Sequence, residues 1–164
     1  AVIDKTPKVI EAPKEAAKAS PIPTIVEQPT KSIVQENSVQ NDDPFERAKK
    51  IAASMNLMFG FDSYHVIDNR NDKIKELSDI LKANPYIHLR FVGHTCNIGT
   101  HHVNLILGMK RAINVKRKFI EQGVPKSQLI SESKSYDQPL VPNTSKTNRA
   151  KNRRVEIKVF MIEK

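Results

Sequence analysis

The stretch Ile87-His88-Leu89-Arg90-Phe91-Val92-Gly93-His94, continuing through Thr95-Cys96-Asn97-Ile98-Gly99 into Thr100–Gln122, decides the fold. Ile87, Leu89, Phe91 and Gly93 alternate with His88, Arg90, Val92 and His94. A period of two puts successive side chains on opposite faces, which is a strand. From Thr100 the period changes. Ala112, Val115 and Phe119 recur at helical spacing, and Gly123 supplies a helix stop. Between strand and helix, Gly93 and Gly99 bracket a loop at the carboxyl end of a strand, the place where α/β proteins seat ligands.

The neighbouring segments extend this pattern in both directions. Ile74, Leu77 and Leu81 stand at i, i+3 and i+7, so Asp72–Ala83 reads as a helix, and Asn84-Pro85 ends it. Met55, Leu57, Phe59 and Phe61 alternate, so Ala48–Phe61 reads as a strand that ends near Asp62. Downstream, Leu129–Ser135 is a short strand. Val155, Ile157, Val159 and Met161 then alternate with Arg154, Glu156, Lys158 and Phe160 in a final one. The order is strand–helix–strand–helix–strand–(short helix or loop)–strand. It implies an α/β two-layer sandwich with helices on a four-stranded sheet. No long helix precedes the last strand, so an antiparallel neighbour and a mixed sheet are expected.

Composition shifts near Phe45. Residues 1–44 hold six of the ten prolines and neither glycine nor aromatic residue. Such a segment buries too little apolar surface to offset its ordering entropy, so 1–44 reads as a Pro-rich disordered tether. An arm packed on a partner is the other reading. Residues 45–164 read as one domain with one core. The tether carries 5 basic and 7 acidic side chains, and the domain 22 basic and 11 acidic, which concentrates the +9 formal charge in the domain. No stretch approaches the ~18 apolar residues of a membrane span. Residues 1–30 lack the apolar run of a secretory signal, so no such signal is visible there. The single cysteine, Cys96, excludes an intrachain disulfide framework.

Several side-chain sets invite chemistry. Asn104, Leu107 and Arg111 share one helical face, with the Ala112–Val115–Phe119 core face expected to be rotated away from them. The planar fork of Arg111 suits a carboxylate or phosphate, or else it is a solvated surface arginine. Asn148-Arg149-Ala150-Lys151-Asn152-Arg153-Arg154 forms a basic run. It reads as a nucleic-acid patch, as an arginine at the sheet mouth, or as a soluble basic edge. The aromatics that stack bases are missing from it, so no nucleic-acid partner is assigned. His94, Cys96, His101 and His102 are metal-ligand types, but their spacing matches no established zinc or copper set, so no metal or other cofactor is assigned. His94 and Cys96 would share a side if the strand continued. No third group orients them as base and nucleophile, so no enzyme is expected.

On these same residues the chain resembles a known family. Gly93-His94-Thr95-x-x-x-Gly99, Asn104-x-x-Leu107-x-x-x-Arg111-Ala112-x-x-Val115, Gly123-Val124 and Asn152-Arg153-Arg154-Val155-Glu156 are similar to the OmpA-like peptidoglycan-binding domain. The likeness runs in register from about Leu57 to Ile162. It implies non-covalent, non-catalytic binding of the diaminopimelate side chain in the wall's stem peptide. By position, Arg111 would hold the ligand carboxylate, Arg153 would support it and Asn104 would hydrogen-bond. Ser63 and Tyr64 would border the pocket, and Phe61 and Asp62 would shape it. Cys96, followed by Asn97, stands where the family usually has an aspartate that pairs with the ligand ammonium, and Gly108 replaces the usual serine. A charge-assisted hydrogen bond contributes roughly 1.5–3 kcal/mol, so its loss would weaken binding tenfold or more.

The resemblance also implies a periplasmic, wall-associated protein, tethered to the outer membrane and joined through its upstream region to an outer-membrane assembly. The alternative is a degenerate scaffold that keeps the fold and binds a protein partner.

Overall fold

The computed structural model describes residues 43–67 and 70–162. Of the tether expected over residues 1–44, residues 1–42 lie outside them. The elements are α1 (Pro44–Ala53), β1 (Leu57–Met58), α2 (Asn71–Ala83), β2 (Ile87–His94) and α3 (His101–Glu121). A 3₁₀ turn (Lys126–Gln128), β3 (Leu129–Ser135), α4 (Lys146–Asn152) and β4 (Arg154–Met161) follow. The sheet order is β1-β4-β2-β3. β2 pairs parallel with β3 and antiparallel with β4, so the sheet is mixed, as expected.

The expected strand over Ala48–Phe61 is corrected. Pro44–Ala53 is a helix, and only Leu57–Met58 pairs with β4, with Phe59 bridging to Val66. Asp43 caps the helix by accepting from the Phe45 amide at 3.0 Å, and Pro44 sits at the first helical position, where its missing N–H costs nothing. The boundary at Phe45 therefore moves back, with Pro44 inside the helix. The inner face of α1 consists of Ala48 and Ala52, both buried, whose small side chains give a weak periodic signal beside Met55, Leu57 and Phe59.

The other elements match their expected positions closely. Thr100 caps α3, its Oγ1 accepting from the Val103 amide. Gly123 takes the left-handed conformation (φ +85°) just beyond the helix, with the Val124 amide reaching back to the Phe119 carbonyl. Ile87, Leu89 and Phe91 of β2 join Val155 and Ile157 of β4 in one core with α1, α2 and α3, and Phe91 packs on Phe119 with ring centroids 5.2 Å apart. The opposite sheet face carries Arg90, Glu132, Glu156 and Lys158 in cross-strand positions.

Two glycines set how closely α3 lies on β2. A Cβ on Gly93 would stand 1.9 Å from the Gly108 carbonyl oxygen, and one on Gly108 would stand 2.2 Å from Ser133 Oγ. This contact fixes the amino-terminal half of α3 over the carboxyl end of β2, where the cavity opens.

Candidate functional site

Asn104, Gly108, Arg111, Ala112, Val115 and Phe119 form one buried stripe along α3. The expected separation of the Arg111 face from the core face is thus corrected: Arg111 precedes Val115 by four residues, and positions i and i+4 lie on the same side. Where the stripe passes the Gly93–Gly108 contact it turns polar and meets the cavity.

Arg111 is fully buried, which overturns its reading as a solvated surface arginine. Its guanidinium donates to three backbone carbonyls: Nε to Ser63 at 2.8 Å, Nη1 to His94 at 3.0 Å and Nη2 to Gly60 at 3.0 Å. It also lies 5.3 Å from the Phe59 ring centroid. Guanidinium carries five N–H donors, so each terminal nitrogen keeps one for a ligand. Burial, with the nearby charge of Arg153, lowers the Arg111 pKa to about 10, while Cys96 and Asp62 act in the other direction. The group stays cationic at neutral pH.

Arg153 sits between α4 and β4, half-buried, with Nε donating to the Phe59 carbonyl at 3.1 Å. The turn ahead of α4 holds it there. Asn152, buried, donates to the Val141 carbonyl and to Asn143 Oδ1 and accepts from the Val141 amide. Arg111 and Arg153 line the same cavity. Of the alternatives for the basic run, the structure therefore favours an arginine at the sheet mouth. Asp62 is the acidic residue of this lining, and Phe61, Ile98, Val103 and Leu107 supply apolar walls. Two guanidinium groups facing one carboxylate favour an anionic group in the cavity.

Asn104 is buried at the rim and gives both amide hydrogens to the loop, to the Ile98 carbonyl at 2.8 Å and the Thr100 carbonyl at 3.0 Å. Its side-chain oxygen is what it has left to offer a ligand. Cys96 is a buried free thiol in the cavity wall. Asn97 is exposed and stands outside the lining. Ser63 contributes its carbonyl to Arg111, and its hydroxyl accepts from the His65 amide. Tyr64 borders an adjoining groove with Asp62 and Leu107, and Asn114 Nδ2 holds its carbonyl at 2.9 Å.

Sequence reasoning does not single out Thr95. It lines the cavity, and its buried Oγ1 has no partner among the described residues. Its place in the glycine-bracketed loop is the signal that could have found it.

The side-chain sets weighed for metal or nucleophilic chemistry come apart. β2 ends at His94, so the same-side rule does not carry on to Cys96 in the loop. The buried His94 ring lies 3.7 Å from Glu156 while Cys96 faces the cavity. Burial, then the charge of Arg154, lowers the His94 pKa to about 4 against the opposing pull of Glu156. Burial alone would push the Glu156 carboxyl up, but its hydrogen bond and charge contact with Arg154 more than reverse this and hold it low. His101 pairs with Asp137 at 2.9 Å. Among the described residues no three His, Cys, Asp or Glu side chains gather to hold a metal ion.

The family model described as the OmpA family matches residues 58–153, from β1 to Arg153. The chain belongs to the OmpA family. Outer membrane porin F of Pseudomonas fluorescens is 30% identical over 112 residues, which are 68% of this chain and 34% of that protein. This OmpA-family chain thus spans about a third of the porin's length. The peptidoglycan-associated lipoprotein of Buchnera aphidicola is 27% identical over 143 residues, 87% of this chain and 83% of that one. The crystal structure of the peptidoglycan-associated lipoprotein from Burkholderia pseudomallei superposes with a TM-score of 0.66 at 30% identity, covering 72% of this chain and 100% of that one.

Proposed function

We propose that this OmpA-family domain binds cell-wall peptidoglycan non-covalently and without catalysis, gripping the carboxylate end of the diaminopimelate side chain in the stem peptide. The observation that carries this reading is Arg111, buried in the cavity wall with one N–H left on each terminal nitrogen and Arg153 beside it. A guanidinium fixed by three carbonyls spends little entropy on binding and offers a planar fork to a carboxylate. The names of two relatives, both peptidoglycan-associated lipoproteins, support the wall as the ligand. The protein would then work in the periplasm as an anchor, with residues 1–42 as its tether to an outer-membrane assembly.

The test is co-sedimentation of the full chain with insoluble diaminopimelate-type peptidoglycan. Replacing Arg111 would unbind three carbonyls and confound folding with binding, so Arg153→Ala is the informative variant. Wild type is expected to pellet, and Arg153→Ala to bind at least about tenfold more weakly, the scale of one charge-assisted contact.

A second reading is favoured by Cys96, since it leaves that position without the carboxylate that would pair with an ammonium. It is a scaffold that keeps the fold and docks a protein. Wild type that stays in solution would support it.

A further inference from the structure

We propose that Asp62 is the residue that selects for the ligand's ammonium group, supplying the carboxylate that the Cys96 position lacks. The inference rests on the stem-peptide reading above. Diaminopimelate ends in an ammonium and a carboxylate on one carbon, so its recognition needs a cation and an anion held side by side. Asp62 is the acid of the cavity lining, and among the described residues its carboxylate makes neither hydrogen bond nor ion pair. Its charge reaches the Arg111 guanidinium.

The position of Asp62 is set by Arg111 itself. The guanidinium donates to the carbonyls of Gly60 and Ser63, which flank Phe61 and Asp62. The side chain that would receive the carboxylate therefore also fixes the turn that carries the anion. Asn104, whose amide hydrogens go to the Ile98 and Thr100 carbonyls, keeps its side-chain oxygen as a neutral acceptor in the same lining. Asp62 takes a left-handed backbone conformation, φ +47°, in which asparagine is equally at home. Asp62→Asn thus removes the charge and keeps the turn.

The experiment is calorimetric titration of the full chain with two tripeptides. One is L-Ala–γ-D-Glu–meso-diaminopimelate. The other carries 2-aminopimelate, in which hydrogen replaces the distal ammonium. Wild type is expected to prefer the first by about tenfold or more. Asp62→Asn, with an unchanged melting temperature, is expected to lose that preference by weakening on the first peptide and changing less than about twofold on the second. A preference that survives Asp62→Asn overturns the assignment, as does wild type that binds both peptides equally. Wild type that binds neither overturns the stem-peptide reading itself.

Discussion

Arg111 is the residue at which the fold and the proposed site meet. A buried guanidinium is costly unless its donors are met, and here carbonyls from residues 60, 63 and 94 meet three of them. Sequence spacing is enough to put Asn104 and Arg111 on one face. It does not reveal the burial, because two of the accepting carbonyls lie about fifty positions away in the chain and belong to a turn with no periodic pattern. His94 makes a prediction at the same scale. Its folded pKa, about 4, lies below the ordinary 6.5, so the folded protein binds fewer protons than the unfolded chain. The stability this gives is complete above pH 6.5 and is lost as the pH falls toward 4, by up to about 3 kcal/mol. Urea unfolding at pH 7 and pH 4.5 should show a marked drop in midpoint, and His94→Gln should remove most of it between those values. An unchanged midpoint in the wild type would contradict the burial of a neutral His94.

Among the elements, the Gly93–Gly108 contact governs the site because it seats α3 on β2. A methyl group at Gly93 would stand 1.9 Å from a backbone carbonyl oxygen, which cannot swing aside, whereas one at Gly108 meets the Ser133 hydroxyl, which can rotate, and comes no nearer to backbone than 2.9 Å, at the Gly93 oxygen. Gly93→Ala should therefore destabilise the protein by more than about 3 kcal/mol, and by more than Gly108→Ala, in urea titrations. Equal, small losses would show that the helix can lift without cost. The elements whose period lies within their own residues, β2, β4 and the central part of α3, are legible in the amino-acid sequence alone. α1 is not. Its buried positions are alanines, and the alternating residues after it belong to a strand of only two paired residues, followed by a bridge and a turn.

For the molecule as a whole, the mixed sheet has one face under helices and one charged face, and the cavity sits at the end where β2 passes into α3 and β4 begins. No described helix is long and apolar enough to cross a membrane. On the proposed stem-peptide reading, the excess of basic side chains in the domain would assist approach to a wall rich in carboxylates, and a few groups in the cavity would supply the specificity. The central claim is that the stem peptide is read there, and the most direct measurement is an NMR titration of the ¹⁵N-labelled chain with the meso-diaminopimelate tripeptide. The account predicts the largest amide shifts at Phe61, Asp62, Thr95, Cys96 and Ile98, around the Arg111 guanidinium. Shifts confined to the charged sheet face around Arg90, Glu132 and Lys158, or no shifts at all, would contradict it.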